Sequence, residues 1–387
     1  IYRRKRLKEQ LKGYIQNLKQ RYHLKDYRFS LIILVTALSI IGVFIVGSAQ
    51  ADLQWRQLQG VILGLIAMFI ISLIDYNWIL KFYWVMYAVN LVLLAAVLLF
   101  GETVNGATRW LNLGFIQFQP SDLTKLLMIL FFAKFLMDRE RDINDKKTII
   151  QGIALILPSL ILIYKQPNLS NTICLALLFC VLMFMGGLSY KFIGTVLAIT
   201  IPTAVILFVI VIQPNQPLIH QYQQNRILAW LEPEEYESEE AYQQLNSIKA
   251  IGSGKLTGKG YNSDATTSVK NGNFISEPQT DFIFAIIGEE LGFVGCCVVI
   301  ILILLIVIDC ILIGMKAKDT GGRIICAGIA ALIGIQSFIN ISVATMLFPN
   351  TGISLPFVSY GLTSLVCLYM GIGFVLNVGL QPKKYES

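Results

Sequence analysis

The sequence predicts an all-α polytopic membrane protein of about ten transmembrane helices, with both termini cytoplasmic and a large outer loop between helices 7 and 8. Three observations lead there. The 387 residues are 55% hydrophobic and only 14% charged, against about 25% charged in an ordinary soluble domain. Mean hydropathy is +0.65. The apolar residues fall in ten runs long enough for a bilayer core, which needs about 20 of them per helix. No water-soluble core absorbs this much apolar sequence. The soluble domains that length alone would suggest are therefore excluded, as are disorder and a disulfide scaffold.

Segment 1–28 comes first. It is not a signal peptide, since it has no cleavage site and its polar stretch is too long. Leu7, Leu11, Ile15 and Leu18 recur at helical spacing among ten Lys and Arg, the pattern of a basic amphipathic tail on an anionic inner leaflet. The spans are then expected at 29–49, 58–75, 82–101, 121–138, 148–164, 170–187, 192–212, 282–314, 323–343 and 359–380. The eighth is too long for one crossing and is expected to break near Gly292 or Gly295. The membrane domain thus runs over 29–380, including an outer loop at 213–281, and a short cytoplasmic tail follows at 381–387.

Orientation follows from the basic residues. With the first tail inside, 21 Lys and Arg lie on the inner side, and the short outer loops hold only Arg56, Arg109 and Lys165. The net charge of +7 is therefore a topology signal. There is no zinc knuckle or basic-aromatic groove, so no nucleic acid is expected as a partner. All seven cysteines lie in apolar runs and read as small buried hydrophobes. Only His23 and His220 are present, which argues against a His-rich metal site and a Ser–His–Asp triad. Acid–base chemistry rests on carboxylates, and no protein metal site is assigned.

Three unusual pieces fall on the outer side: 101–120, 213–281 and 344–358. Long irregular connections are often functional. No nucleotide is supplied there, so an energy-rich substrate would arrive on a lipid carrier. In SEPQTDFIFAIIGEELGFVG (276–295), Asp281 sits where a polar loop meets an apolar helix. Structurally it reads as an N-cap. Chemically it reads as a partly desolvated carboxylate with a raised pKa, suited to act as a base. Glu289 and Glu290 lie in apolar sequence, where carboxylates are functional by default or form a buried pairing that fixes the helix break. In NGATRW (105–110), Asn105 and Gly106 signal a turn, Arg109 is a five-donor fork suited to phosphate, and Trp110 offers a stacking face. The same Arg–Trp pair also reads as an interfacial anchor. Ser121 caps the fourth span behind Pro120. Lys125 in its first turn either snorkels or meets an anionic head group, and Lys134 snorkels at the inner end.

Residues 226–246 are acidic and read as a solvated face or lid. Residues 247–262, SIKAIGSGKLTGKGYN, lack the spacing of a nucleotide P-loop. Glycine-freed backbone N–H groups flanked by Lys249, Lys255 and Lys259 would still suit a diphosphate. The loop FPNTGISLPFVSYG (348–361) has too many Pro and Gly for a helix. It reads as a re-entrant loop packed on the outer cavity, with Ser359 beside it.

NGATRWLNLG, QPSDLTK, IKAIGSGKLTGKG, TDFIFAIIGEELGFVG and PNTGISLPFVSYG occur here in the order in which they recur in the SEDS proteins (shape, elongation, division, sporulation) of the RodA/FtsW type. The chain resembles that family over about 350 residues of its membrane portion, and GSGKLTGKG stands somewhat closer to the RodA branch. The resemblance implies a bacterial plasma-membrane glycosyltransferase, its active site facing outside. It would polymerise lipid II into glycan strands in cell elongation or division, beside a class B penicillin-binding protein. It maps the family's catalytic Asp onto Asp281 and its functionally important Trp onto Trp110. The chain departs from the family pattern at Asn168 and Ser170 (QPNLSNT against QPDLGTA), at Leu362 (SYGL against SYGG) and at Ser276, which stands where a Pro usually precedes Glu277.

Combined with the local chemistry, the expected partners are lipid II, the nascent glycan strand and membrane lipids. Asp281 would take the proton of the acceptor hydroxyl in one inverting displacement. Arg109, Lys125, Lys249, Lys255 and Lys259 would steady the leaving diphosphate, with Asn105, Glu277, Glu289, Glu290 and Ser359 in support. A divalent cation, Mg or Mn, is the one cofactor this chemistry would accommodate. The rival readings are a flippase for the same precursor and a silent scaffold for a transpeptidase. A transporter should show inverted repeats and polar residues near the midplane. Here no repeat is evident and the polar motifs gather on the outer side.

Overall fold

The computed structural model describes residues 27–104, 107–112, 114, 117–213, 216, 217, 219, 221–235, 241–262, 275 and 277–381. Nearly all of the 1–28 tail, Asn105, Glu237, Glu239, Glu240, Ser276 and residues 382–387 lie outside them.

The chain begins with α1 (Phe29–Ala49), α2 (Ala51–Leu73), the short α3 (Tyr76–Leu80) and α4 (Tyr83–Phe100). A small sheet follows, β1 (Glu102–Val104), β2 (Ala107–Asn112) and β3 (Gln117–Phe118). Next come α5 (Pro120–Met137), α6 (Lys146–Lys165), α7 (Leu169–Met185) and α8 (Tyr190–Ile212). The long connection holds α9 (Gln221–Leu231) and α10 (Tyr242–Ser253). The bundle closes with α11 (Ile283–Met315), α12 (Thr320–Ala344) and α13 (Leu362–Gly379). Eight of these helices are long and apolar enough to cross a membrane. The 17-residue α7 is shorter, and α5 carries Asp122, Lys125 and Lys134. With these two, the ten expected segments are all helical, and the protein is an all-α polytopic membrane protein.

Some boundaries differ from the expectation. Helix α2 starts at Ala51 rather than 58, because Gln54, Trp55 and Arg56 remain good helix formers although they are not apolar. The 101–120 connection is a three-stranded antiparallel sheet, with Glu102 opposite Trp110 and Leu111 opposite Phe118. Its β-branched and aromatic residues favour strands, and 105–106 separates two of them. The acidic stretch is more than a solvated lid. Gln224 donates to the carbonyls of Val211 (2.9 Å) and Gln213 (2.8 Å), and Trp230 Nε1 to Met346 O (3.0 Å), which folds α9 back onto the bundle. Gln244 and Ser247 hold α10 in the same way on the carbonyls of Val343, Phe348 and Ala344.

Close helix contact rests on small residues, as expected where lipid removes the hydrophobic drive between helices. Helix α2 lies along α13. A side chain at Gly64 would overlap the Tyr369 ring, and one at Gly373 would come within 2.7 Å of the Met68 carbonyl. Tyr369 is fully buried and donates to Ser39 on α1 at 2.8 Å. Helix α12 sits centrally against α5, α7 and α11. Helix α8 is exposed along nearly its whole length. All seven cysteines are free thiols.

Following the chain up and down the bundle gathers the sheet, α9, α10, the loop after α12 and the turn before α11 at one end. The expected break in α11 is real. Gly292 adopts φ 65° and ψ −163° inside the helix, a conformation that side chains avoid. A short half-helix, 283–291, is thereby set off from the crossing that follows.

Candidate active site

Asp281 lies in the turn that leads into this half-helix. The first residues of α11 have no side-chain cap, so the carboxylate does not serve as the N-cap that the sequence suggests. Its backbone is pinned instead. Asn340 Nδ2 donates to Asp281 O at 2.8 Å and to Ile353 O at 2.7 Å. Ser359 Oγ donates to Thr280 O at 2.6 Å while accepting from Leu355 N at 2.8 Å. Tyr360 N donates to Gln279 O at 2.9 Å. The loop after α12 thus acts as a cradle for the turn, and Ser359 is part of it.

The glycine- and lysine-rich segment has a different task from the one its composition suggests. Its backbone joins the broken helix. Lys259 N and Gly260 N donate to the carbonyls of Glu289 (2.9 Å) and Glu290 (3.1 Å), and Phe293 N and Val294 N donate to those of Lys255 (2.9 Å) and Leu256 (3.1 Å). These bonds satisfy the groups that the break releases, as a low-dielectric setting demands. Gly258, at φ 81°, packs so closely that any side chain would overlap the Glu290 carbonyl. Lys259 Nζ pairs with Glu289 at 2.7 Å, and Glu289 is only 1% exposed. Glu290 accepts from Ser48 on α1. Lys259, expected at a diphosphate, is therefore engaged by Glu289. Lys249 and Lys255 have exposed side chains, and neither features among the charges that act on Asp281.

Two arginines do act on it. Arg109 on β2 donates to the carbonyl of Pro167 at the start of α7. Arg226 on α9 donates to Asn350 O at 3.4 Å. Gly352, two residues further, lies against the carboxylate: a Cβ there would sit 3.3 Å from Asp281 Oδ2. Asp281 keeps some exposed surface, yet loss of water pushes its carboxyl up to about 6. The charges of Arg226 and then Arg109 pull it down, and Glu277 pushes it up. Near neutral pH such a group is mostly ionised and close to matched with the proton it would take, the condition for efficient general-base action.

Lys125 neither snorkels nor faces a head group. It is 2% exposed and bonds Asp122 Oδ1 at 2.8 Å and Asn171 Oδ1 at 3.1 Å. A lysine this deep needs such partners. Its cluster borders a cavity of about 10 Å³ lined also by Gln336, Ser364 and Cys367, room for about one water. Lys134 pairs with Asp138 at 2.5 Å at the far end of α5. Trp110 is half-buried on β2 beside Arg109. Glu277 is exposed and accepts from Gln279 at 2.7 Å. Arg226 is the charged residue that the sequence reading passed over. It opens an acidic stretch and resembles a solvated charge until α9 folds back.

No group of three His, Cys, Asp or Glu gathers among the described residues. Among the described residues, Glu277 is the carboxylate that acts on Asp281, beside the two guanidinium groups. This donor set does not fit a resident divalent cation, which takes several oxygen ligands.

The family model described as cell cycle protein, FtsW/RodA/SpoVE, matches residues 22–384, starting inside the basic tail that the motifs leave uncovered. Peptidoglycan glycosyltransferase MrdB of Escherichia coli is 32% identical over 92% of this chain and 94% of its own. A probable peptidoglycan glycosyltransferase FtsW of Geobacter sulfurreducens is 30% identical over 93% and 97%. Among solved structures, a chain of a peptidoglycan synthase complex described as coordinating polymerization and crosslinking superposes with a TM-score of 0.75 at 29% identity, covering 91% of this chain and 97% of that one. The rod shape determining protein RodA of Thermus thermophilus superposes at 0.67 with 27% identity over 91% and 96%. With the motifs in order and the fold shared end to end, the chain belongs to the FtsW/RodA/SpoVE family of SEDS proteins.

Proposed function

We propose that this membrane protein is a peptidoglycan glycosyltransferase that polymerises lipid II at the end of the bundle holding Asp281, and that this end faces outside with both termini cytoplasmic. The observation that carries the reading is the Asp281 turn cradled by the loop after α12, with Gly352 against the carboxylate and Arg109 and Arg226 acting on it; loss of water there pushes the carboxyl up to about 6. Asp281 takes the proton from the acceptor sugar hydroxyl as that oxygen attacks the anomeric carbon of the donor. The new glycosidic C–O bond forms as the anomeric carbon–phosphate oxygen bond breaks. The electron pair leaves with the prenyl diphosphate, and attack from the opposite face inverts the centre. Asp281 then returns its proton to solvent. Arg109 and Arg226 neutralise charge where it develops, which is where fixed cations are most effective. The diphosphate leaves without an acid, so the carboxylate pair of glycosidases is not required. Any Mg or Mn enters with the diphosphate, and no step here depends on it.

The family names of the relatives and the synthase-complex neighbour support this reading, the neighbour's joining of polymerization with crosslinking supports a crosslinking partner, and the partner in this reading is a transpeptidase of the class B penicillin-binding type. The test is polymerisation of lipid II by purified wild-type and Asp281→Asn protein, with and without that partner, read as glycan chains on a gel. Chains from wild type and none from the variant are expected. An absence of chains from both, with partner bound, would overturn the transferase reading in favour of a flippase or scaffold.

A further inference from the structure

We propose that Asn168, Asn350 and Thr351 form a neutral sugar subsite between the two arginines, one that takes a hydroxyl or acetamido group of the lipid-linked substrate. The inference rests on the transferase reading and adds to it the residues that recognise the sugar.

Asn168 is the N-cap of α7, and its Oδ1 accepts from Asn171 N at 3.3 Å. Capping fixes which way the amide points: the oxygen faces the helix, so the NH₂ faces away. The residue is only 2% exposed, and its Nδ2 is buried without a hydrogen-bond partner. Asn350 Oδ1 and Thr351 Oγ1 are buried and unpartnered in the same way. Side-chain bonds to main-chain carbonyls tie the start of α7 to the loop after α12 and set an arginine beside each. Ser170 Oγ donates to Thr351 O, Arg226 to Asn350 O, and Arg109 to Pro167 O. Gly352, next in the chain, faces the Asp281 carboxylate closely enough that a Cβ there would lie 3.3 Å from Oδ2.

Buried polar atoms without partners are rare in folded proteins, and each calls for a ligand or a bound water. The chemistry of this set selects the ligand. An amide NH₂ only donates, an amide oxygen only accepts, and a hydroxyl does both. A phosphate offers acceptors alone and would be repelled by Asn350 Oδ1. The arginines on either side already suit it. A sugar hydroxyl or acetamido group offers a donor and an acceptor together, and satisfies all three residues. An Asp at 168 would cap α7 equally well but would present an anionic acceptor beside Arg109. The Asn keeps this wall neutral and leaves Arg109 to the diphosphate.

The experiment uses full-length protein carrying Asp281→Asn to prevent turnover, and measures dissociation constants for lipid II and for a sugar-free polyprenyl diphosphate. Asn168→Ser retains a capping oxygen while withdrawing the amide donor, and Thr351→Val retains shape while removing the hydroxyl. Each change should weaken lipid II by about five- to tenfold, the worth of one hydrogen bond, and leave polyprenyl diphosphate within about twofold. Retained polyprenyl diphosphate binding shows that the variant is folded. Equal weakening of both lipids would mean that these residues hold phosphate, and no weakening of either would mean that water satisfies them. Either result overturns the sugar subsite. Wild-type polymerisation is read separately. Absent chains with selective lipid II loss would sink the transferase reading and keep the subsite, and chains without selective loss would do the reverse.

Discussion

At the end of the bundle away from Asp281, polar groups answer one another. Asp319 accepts from Tyr76 Oη (2.7 Å), Asn77 Nδ2 (3.3 Å) and Gly322 N (2.7 Å). Asn377 donates to Ser72 O at 2.8 Å and accepts from Tyr76 N at 3.0 Å and Gln381 Nε2 at 3.1 Å. None of these atoms is left without a partner. At the Asp281 end, the side chains of Gln166, Asn168, Asn340, Asn350 and Thr351 each keep a buried atom without one. Both ends bury polarity in an apolar surrounding. A closed network stabilises the fold and offers nothing to a ligand, whereas an open one is tolerated where a ligand completes it. The comparison separates polar residues that build this protein from those that work in it.

The strongest way to break the contrast is at Asp281. Asp281→Asn should lower polymerisation by about a thousandfold, the scale of a lost general base, with lipid II still bound. A near wild-type rate would remove Asp281 from the mechanism. Next in size is Arg226. Arg226→Ala should lower kcat/KM by about a hundredfold, as for a lost charge-stabilising donor, and should weaken a sugar-free polyprenyl diphosphate in parallel. An unchanged rate would return α9 to the status of a solvated surface.

The pH dependence sharpens the comparison further. The rate should fall about tenfold per unit below a bend near pH 6, because protonated Asp281 cannot accept a proton. Stability carries the opposite sign. The folded pKa of about 6 lies above the ordinary value of 3.8, so the protonated form favours the folded state, and that contribution is lost as pH rises from about 4 through about 6. Asp281→Asn lacks it. The variant should therefore gain thermal stability relative to wild type as pH rises to 7, and a constant gap across that range would contradict the raised carboxyl.

At the closed end, Asn377→Ala should destabilise by roughly 1–3 kcal/mol, since it orphans Tyr76 N and withdraws the donor from Ser72 O in buried surroundings. Activity per folded molecule should be unchanged, and a selective fall in kcat would blur the division between the ends. The smallest effect is expected from Ser359→Ala. It removes one brace from the turn before Asp281, with a few-fold drop in kcat and an unchanged KM. A rise in KM alone would place Ser359 on the substrate instead.

Much of this was legible in the sequence. Apolar run length set the helices, because a bilayer admits few alternatives to a self-satisfied helix. The break at Gly292 followed from a segment too long for one crossing. Asp281, Arg109 and Ser359 stood out as polar residues where loops meet spans, and the ordered motifs tied them to one family. Four features depended on distant segments meeting. Lys259 carries the charge of a phosphate ligand, but Glu289, thirty residues on, claims it once the clip docks on the broken helix. Lys125 reads as a snorkelling cation until Asp122 and Asn171 enclose it. Arg226 meets the loop after α12 only through the fold-back of α9, and Asn168 comes to that loop only because Ser170 Oγ, two residues on, bonds Thr351 O. Run length and periodicity are local properties that the membrane reads directly. Which charge pairs with which, and which polar atom is left open, depends on contacts between residues far apart in the chain, and only the packed bundle decides them.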